Sequence, residues 1–149
     1  MDGVGPVHAG IRFSDLASLT NSPVEVSDPI GDATYSPDSP CVYFTIYGTD
    51  RTTGTGGHGV VDAIYVSKPA YRTERGVGPG STVAEVEQAY PGETTRRDNM
   101  YRTFDDLYVG SNATSGAAIR FVLDQETGTH VDEVISGHQP AVSAPEGCS

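Results

Sequence analysis

The chain of 149 residues has the length of one ordinary domain, and its nine basic and 20 acidic residues give a net charge of −11. This excess of carboxylates disfavours nucleic acid and anionic membranes as partners, because phosphate groups are bound by clustered Lys and Arg. It favours a protein partner with a basic surface; the alternative is that the charge only keeps a secreted protein soluble. No apolar run reaches about 18 residues, so the sequence predicts no membrane-spanning helix.

The first half of the chain predicts a weak helix followed by strands. Ser, Thr and Asn dilute the helix propensity of residues 13–20. Residues 42–47 alternate, with Val, Phe and Ile on one side and Tyr, Thr and Tyr on the other, as in an antiparallel strand with one buried face. A Gly- and Thr-rich loop at 49–59 leads to a closing strand at 60–66, whose broken alternation leaves its phase open.

The second half predicts a better helix. Thr82 and Glu85 have the spacing of a capping box, in which each side chain accepts a hydrogen bond from the other residue's backbone N–H. Val83, Val86 and Tyr90 follow at spacings of three and four, so they share one helix face. A Pro-Gly pair then ends the helix.

The strands of the second half resemble those of the first. Ile119, Phe121 and Leu123 point to one side of a strand and the residues between them to the other, so we expect one buried and one solvated face. Residues 125–128 are typical of a hairpin turn. The closing strand at 130–136 also breaks strict alternation, so its phase stays open.

These similarities indicate an internal repeat. Gly-Val-Gly-Pro occurs at 3–6 and again at 76–79. We therefore predict an α+β fold in which two tandem helix-plus-antiparallel-sheet repeats, 3–67 and 73–137, form one compact domain, followed by a tail at 138–149. The other matching segments are 10–16 with 80–86, 61–64 with 131–134, and 42–46 with 119–123.

The two cysteines could be free thiols, but their positions favour a disulfide. Cys148 is the second residue from the end, where a tail normally frays, and Cys41 opens a strand-like run. The sequence has no other Cys to compete for metal or redox chemistry. Such a bond would stabilise the fold by about 4–5 kcal/mol on the chain-entropy model. It also implies an oxidising compartment, so we expect a secreted or cell-envelope protein whose export segment has been removed.

Several short motifs together resemble a known group of proteins. A Gly-x-Gly-Pro stretch leads into the first helix at 3–16, and Cys-x-Tyr occurs at 41–43. Tyr-x-Thr-x-x-Gly-x-Gly spans 71–78, and Glu-Gly-Cys occurs at 146–148. The chain resembles exported, mostly actinobacterial proteins of unknown function. This resemblance implies export and a bond between Cys41 and Cys148. In plan, the duplicated unit is similar to β-lactamase inhibitor protein and to the small lipoprotein of the barrel-assembly machinery.

The sequence lacks the motifs of catalytic and metal sites. Its four His form no His-x-x-x-His or Glu-x-x-His set, although His58 and His130 occupy similar places in the two repeats. The acidic residues lack the alternation of a calcium loop. Asp62 and Asp132 occupy equivalent positions in the two repeats and could serve as an acid/base pair. We interpret them instead as surface residues. We therefore predict a non-enzymatic protein without metal or cofactor.

Three tyrosines are the predicted binding residues. Tyr43 and Tyr47 share the strand face away from the apolar stripe, and Tyr65 in the closing strand can join them. Aromatic side chains on a polar sheet provide rigid contact area for a partner. The alternative is that a second layer covers them as a further core. We therefore expect a secreted binding module, of which inhibition is one form; a small-ligand or cell-envelope binder with a pocket between the repeats is the alternative.

Overall fold

The structure is a computed structural model. It describes residues 63–111, 116–139 and 141–143 in full, together with the backbone of five short strands nearer the N-terminus. The elements in chain order are β1 (Gly3–Val4), β2 (Val7–His8), β3 (Glu25–Val26), β4 (Asp32–Thr34), β5 (Cys41–Tyr43), β6 (Ala63–Val66), α1 (Val83–Ala89), β7 (Thr94–Arg97), β8 (Asp106–Gly110), β9 (Ala117–Leu123), β10 (Val131–His138) and a 3-10 turn (Ala141–Ser143).

Eight of the strands form one antiparallel sheet. Its order is β3-β4-β5-β6-β10-β9-β8-β7, so β6 and β10 pair at the centre. Strands β1 and β2 pair with each other in a separate two-stranded sheet. A helix beside an antiparallel sheet confirms the predicted α+β class for the part of the chain that is described.

Helix α1 has the ends that its sequence predicts. The backbone N–H of Glu85 donates to Thr82 Oγ1 at 3.1 Å, and the backbone N–H of Thr82 donates to Glu85 Oε2 at 2.8 Å. The predicted capping box is therefore confirmed. Val86 and Tyr90 are both fully buried, and Gly92 follows in the left-handed region at φ 72°. Glycine tolerates this conformation best, which is why the chain turns away here.

The main core lies between α1 and one face of the sheet. Tyr90 at the end of the helix packs on Phe121 of β9, with ring centroids 6.0 Å apart. The alternation predicted for β9 is confirmed, because Ile119, Phe121 and Leu123 all belong to this core. The buried members are Val77, Val86, Tyr90, Leu107, Val109, Ile119, Phe121, Leu123, Val131 and Val134.

A bulge explains the broken alternation of the closing strand. In the pairing of β10 with β9, Val131 lies opposite Leu123 and Glu133 lies opposite Val122, which leaves Asp132 as an extra residue. One extra residue shifts the pleat by one position. Val131 and Val134 therefore reach the same core although they are three residues apart.

The second face of the sheet is also buried in the described part, which corrects the prediction of a solvated face. Val122 and Ile135 form a second core with two tyrosines, Tyr65 and Tyr108. Ala141 and Val142 of the 3-10 turn belong to the same cluster. The turn thus acts as a second layer, which the strand pattern alone does not reveal.

The arrangement of the strands bears on the predicted repeat without testing it in full. Strands β3 to β6 and β7 to β10 are two four-stranded meanders that meet where β6 pairs with β10. The first predicted helix, at 13–20, lies outside the described residues. The two tandem units therefore stay a prediction.

Candidate functional site

The three predicted binding tyrosines lie in different surroundings or outside the described residues. Tyr65 is only 5% exposed and belongs to the second core, as in the alternative of a covered face. The β5 backbone places Tyr43 opposite Ala63 in the sheet. Tyr47 lies outside the described residues. Tyr65 therefore offers little contact area to a partner.

The exposed apolar surface lies elsewhere, on the loop 98–105 between β7 and β8. Met100 is 77% exposed and Tyr101 is 66% exposed, and they are the two large hydrophobic residues left exposed within the described ranges. They are adjacent in the chain. Together they form an apolar tip that the fold does not use.

The base of this loop is held by a buried amide. Asn99 donates from Nδ2 to Asp106 Oδ2 at 2.8 Å. Its Oδ1 accepts the backbone N–H of Tyr101 at 3.2 Å, and its carbonyl accepts the backbone N–H of Arg102 at 2.9 Å. One side chain therefore fixes the turn that presents Met100 and Tyr101.

Asn99 is fixed in turn by a buried ion pair. Arg120 Nε donates to Asp106 Oδ2 at 2.7 Å, and the two residues are 7% and 1% exposed. The ring of Tyr108 stacks with two guanidinium groups, at 4.3 Å from Arg97 and 5.8 Å from Arg120. Arginine and an aromatic face attract each other by cation–π interaction. This network joins the loop to the sheet.

Glu133 adds a third charge near this network. Burial raises the pKa of its carboxyl above the usual range, while the positive charges of Arg102 and Arg120 oppose the rise. The like charge of Asp106 raises it further. Arg102 of the loop thus lies within electrostatic reach of the sheet below it.

The far end of the loop rests on the β9–β10 hairpin. The backbone N–H of Thr103 donates to Gln125 Oε1 at 2.8 Å, and Gln125 Nε2 donates to the carbonyl of Leu123 at 2.8 Å. The ring of Phe104 lies so close to Gly128 that a Cβ there would come within 2.5 Å of it. The loop is therefore anchored at both ends and exposed at its tip.

The surroundings of the tip are basic in an acidic protein. Residues 94–104 contain Arg96, Arg97 and Arg102 but only one acidic residue, Asp98, so the segment carries a net charge of +2. The side chain of Arg96 is 51% exposed and lies 3.7 Å from Glu87 Oε1. We call Met100, Tyr101 and the exposed arginines Arg96 and Arg102 the exposed tip.

A polar groove beside α1 is the second candidate. It has a volume of about 590 Å³. Arg72 Nη1 donates to Ser81 Oγ at 2.8 Å, and Arg75 Nη1 donates to Glu93 Oε1 at 2.8 Å. Its arginines are thus hydrogen-bonded within the protein, and no large exposed apolar side chain lines it, which makes it a weaker candidate than the exposed tip. Its lining residues are Arg72, Arg75, Gly76, Val77, Gly80, Ser81, Glu85, Gln88 and Ala89.

The histidines and aspartates compared between the two repeats form no site in the described residues. His130 Nδ1 lies 2.9 Å from Thr129 Oγ1 in the β9–β10 turn, and Asp132 is exposed at the bulge. His58 and Asp62 lie outside the described residues. In the ranges that the structure covers, no three His, Cys, Asp or Glu side chains gather as a metal would require. None of the described helices has the length and apolar character needed to cross a membrane.

Sequence reasoning missed the exposed tip, although a signal was present. Met100 and Tyr101 form an apolar pair within a polar stretch that holds three of the nine basic residues. The turn that exposes them depends on the hydrogen bond between Asn99 and the buried Asp106, and a local sequence pattern does not reveal this contact.

Comparison with known proteins finds no match: neither a family model, nor a curated protein, nor a solved structure is similar to the chain.

Proposed function

We propose that this protein is a non-enzymatic binding module that contacts a protein partner through the exposed tip. The observation that carries the proposal is the exposure of two adjacent apolar residues, Met100 at 77% and Tyr101 at 66%. Tyr, Met and Arg are the residue types that protein interfaces favour. All three types occur together here.

The anchoring of the loop supports a role in binding. The hydrogen bonds of Asn99 and the contact of Phe104 with the hairpin hold the loop at both ends. A contact surface that is ordered before binding loses less conformational entropy on association. The exposed tip is therefore suited to act as a preformed anchor, and inhibition of the partner is one outcome of such binding.

The proposed partner has a basic overall surface and an acidic contact region. The net charge of −11 attracts a basic protein over long range and raises the encounter rate at low salt. At short range the arginines of the exposed tip select carboxylates. Tyr43 and Tyr47 stay a second proposed contact, carried by the sequence pattern alone.

We also propose that the sheet consists of the two tandem units 3–67 and 73–137. The pairing of β6 with β10 supports this, since Ile64 lies opposite Ser136 and Val66 lies opposite Val134. Residues 64 and 134 are 70 positions apart, and so are residues 66 and 136. Replacing each residue by its repeat equivalent therefore turns one pair into the other, as a pseudo-twofold axis would. Export to an oxidising compartment, with a bond between Cys41 and Cys148, belongs to the same proposal.

The alternative function is a small-ligand or cell-envelope binder with a pocket between the repeats. The groove along α1 is a described cavity with which to compare it, and all its lining residues except Arg72 belong to the second unit. If such a ligand binds in this groove, Arg72→Ala should weaken its binding. The same change should leave binding through the exposed tip unaltered.

Capture of the partner tests the main proposal. The full chain, immobilised, is exposed to proteins of the source organism's envelope and culture medium, in parallel with Tyr101→Ala and with Lys68→Ala as a control at an exposed site. We expect a partner that the wild type and the control retain equally. Tyr101→Ala should weaken its binding by about tenfold, as for an interface anchor worth about 1–2 kcal/mol.

Thermal unfolding of each variant accompanies the capture. Tyr101 is largely exposed, so Tyr101→Ala should leave the unfolding temperature nearly unchanged. A partner retained equally by Tyr101→Ala and wild type would refute the exposed tip as the binding site.

A further inference from the structure

The polar groove beside α1 is formed by a single described stretch of the chain. Arg72 and Arg75 line it from the segment between β6 and α1, and Glu85 and Gln88 line it from the helix. Its volume of about 590 Å³ lies within the range of about 300–1,000 Å³ that is usual for small-molecule sites. Because no large exposed apolar side chain lines it, the groove suits a small polar ligand better than a protein surface.

Arg72 lines the groove without a carboxylate partner among the described residues. Its Nη1 donates to Ser81 Oγ at 2.8 Å, and this hydroxyl also accepts the backbone N–H of Gly78 at 3.0 Å. The hydroxyl is neutral, so it leaves the positive charge of Arg72 uncompensated. In a chain with 20 acidic and nine basic residues, an arginine without a counter-charge at a groove favours an anionic ligand there.

The surrounding structure fixes the position of this guanidinium. Ser81 is only 4% exposed, so the hydroxyl that holds Arg72 is itself part of the buried structure. The stem of Arg72 packs on Gly78, where an added Cβ would come within 3.1 Å of Arg72 Cδ. A guanidinium has five N–H donors, and the bond to Ser81 uses one of them, on Nη1. Within the described part of the chain, the donors on Nε and Nη2 have no partner and stay available to a ligand.

Arg75 provides a second oriented guanidinium. Its Nη1 donates to the carbonyl of Ala89 at 2.9 Å and to Glu93 Oε1 at 2.8 Å. Its planar group lies over the ring of Tyr90, 4.5 Å from the centroid, and this ring is fully buried. Glu93 balances the charge of Arg75. We therefore assign Arg75 the part of an additional hydrogen-bond donor, and Arg72 the part of the principal charge.

We propose that this groove binds a small polar ligand through an oxyanion, a carboxylate or a phosphate, that Arg72 holds and Arg75 assists. It is a second site, separate from the exposed tip, and it does not depend on the proposed function. A planar guanidinium binds either oxyanion through two parallel hydrogen bonds. A guanidinium that is oriented before binding loses less conformational entropy when the ligand arrives.

A purely structural role of Arg72 is the alternative. In that role it would only hold the chain near Ser81. A neutral amide can donate to a hydroxyl as well, so this role does not explain the positive charge. Arg72→Gln separates the two roles, because it retains a donor but removes the charge and the paired donors of the guanidinium.

Titration of the full chain with simple anions tests the inference. The probes are acetate, inorganic phosphate and acetamide, which has the shape of acetate without its charge, each at constant ionic strength. Chemical shifts of the backbone amides and of the arginine Nε–H groups are followed by NMR spectroscopy. The variants are Arg72→Gln, Arg72→Lys and, as a control, Arg102→Gln, which removes the same charge from an exposed arginine outside the groove.

We expect acetate or phosphate to bind with a dissociation constant on the order of millimolar, since each has few atoms. The largest shifts should occur at residues 76–81 and 85–89 and at the Nε–H of Arg72, whereas acetamide should cause no saturable shift. Arg72→Gln should weaken binding by at least about tenfold. Arg72→Lys should weaken it less, because it keeps the charge but loses the paired donors. Arg102→Gln should match wild type, and the anion that binds more tightly identifies the group of the ligand.

Three results would overturn the inference: equal affinity for acetate and acetamide, equal weakening by Arg72→Gln and Arg102→Gln, or no saturable shift with either anion at tens of millimolar. Thermal unfolding of each variant accompanies the titration. If Arg72→Gln and Arg72→Lys lose binding equally and both unfold at a much lower temperature than wild type, the structural role of Arg72 replaces the inference. Partner capture by the exposed tip does not involve Arg72, so the two proposals stand or fall separately.

Discussion

Asp106 and Arg120 form a buried ion pair on the sheet face opposite α1. Removing two charges from water is costly, and attraction between them compensates only when their remaining groups are also satisfied. Here Asn99 donates a second hydrogen bond to the same oxygen, Asp106 Oδ2, and the ring of Tyr108 lies beside the guanidinium. The other oxygen, Asp106 Oδ1, is buried and has no hydrogen-bond partner among the described residues.

We therefore predict that Asp106→Ala is strongly destabilising. It leaves the charge of Arg120 buried and removes the acceptor of Asn99, so the free energy of unfolding should fall by about 3–5 kcal/mol. The neighbouring residue Asp105 is exposed and provides the control. Asp105→Ala should change the free energy of unfolding by less than about 0.5 kcal/mol. Denaturant titration measures both. Equal effects of the two changes would contradict the ion pair as a stabilising contact.

The burial of Tyr65 shows a limit of reading single residues from sequence. Alternation along a strand separates two faces, but it does not say whether the second face is covered. Here the cover includes Ala141 and Val142, which follow β10 in the chain. The choice between a binding face and a second core therefore depended on a contact that local pattern does not contain.

At the scale of elements, local signals explain what could be predicted. Helix α1 depends on its own cap and on the spacing of its apolar residues, so the sequence predicted it well. Strand β7 is polar throughout, and β8 is buried on both faces; neither alternates, and neither was predicted. The phase of β10 was hidden by the bulge at Asp132.

The turn between β9 and β10 depends on one carboxylate. Asp124 accepts backbone N–H groups from Thr127 at 2.7 Å, from Thr129 at 2.9 Å and from His130 at 2.9 Å. These bonds hold the pKa of its carboxyl well below the ordinary value, since they favour the ionised form. The predicted hairpin turn at 125–128 is confirmed, and its stability is tied to the charge of Asp124.

We predict that Asp124→Ala lowers the stability of the fold at neutral pH and that this effect fades in acid. A carboxyl with a lowered folded-state pKa stabilises the fold above its unfolded pKa, near 3.8, and this stabilisation is lost as the pH falls further. Asp124→Ala should therefore be less stable than wild type at pH 7, and the difference should shrink below about pH 4. Thermal unfolding from pH 7 to pH 2 measures it.

Glu133 changes the stability of the fold with pH in the opposite direction to Asp124. Its raised pKa makes the fold more stable as the pH falls through that value. It is present in both wild type and Asp124→Ala, so the difference between the two isolates Asp124. A difference that stays constant down to pH 2 would show that the turn does not depend on the charge.

At the scale of the whole molecule, basic residues are divided unevenly along the chain. Residues 1–62 contain eight acidic and two basic residues, whereas residues 63–149 contain 12 acidic and seven basic residues. The net charges of the two parts are thus −6 and −5, so both attract a basic partner about equally, but seven of the nine basic residues, the arginines of the exposed tip among them, belong to the second part. This clustering of basic residues reconciles a basic partner with an acidic contact region at the exposed tip.

The predicted disulfide would tie the C-terminal tail to the sheet. Cys41 begins β5 and lies opposite Tyr65 of β6, close in the strand order to the centre of the sheet. Cys148 lies outside the described residues. We predict a bond between them, so mass analysis of the unreduced, denatured and alkylated protein should find no free thiol.

Loss of this bond should be costly. The loop that it closes is long, so the chain-entropy model gives a stabilisation of about 4–5 kcal/mol. We expect the double variant Cys41→Ser with Cys148→Ser to lose about this much of its free energy of unfolding, and reduced wild type to behave like it. The double variant should unfold equally with and without reductant, which serves as the control. Two alkylated thiols in the unreduced wild type would refute the bond, and the proposal of export would lose its main support.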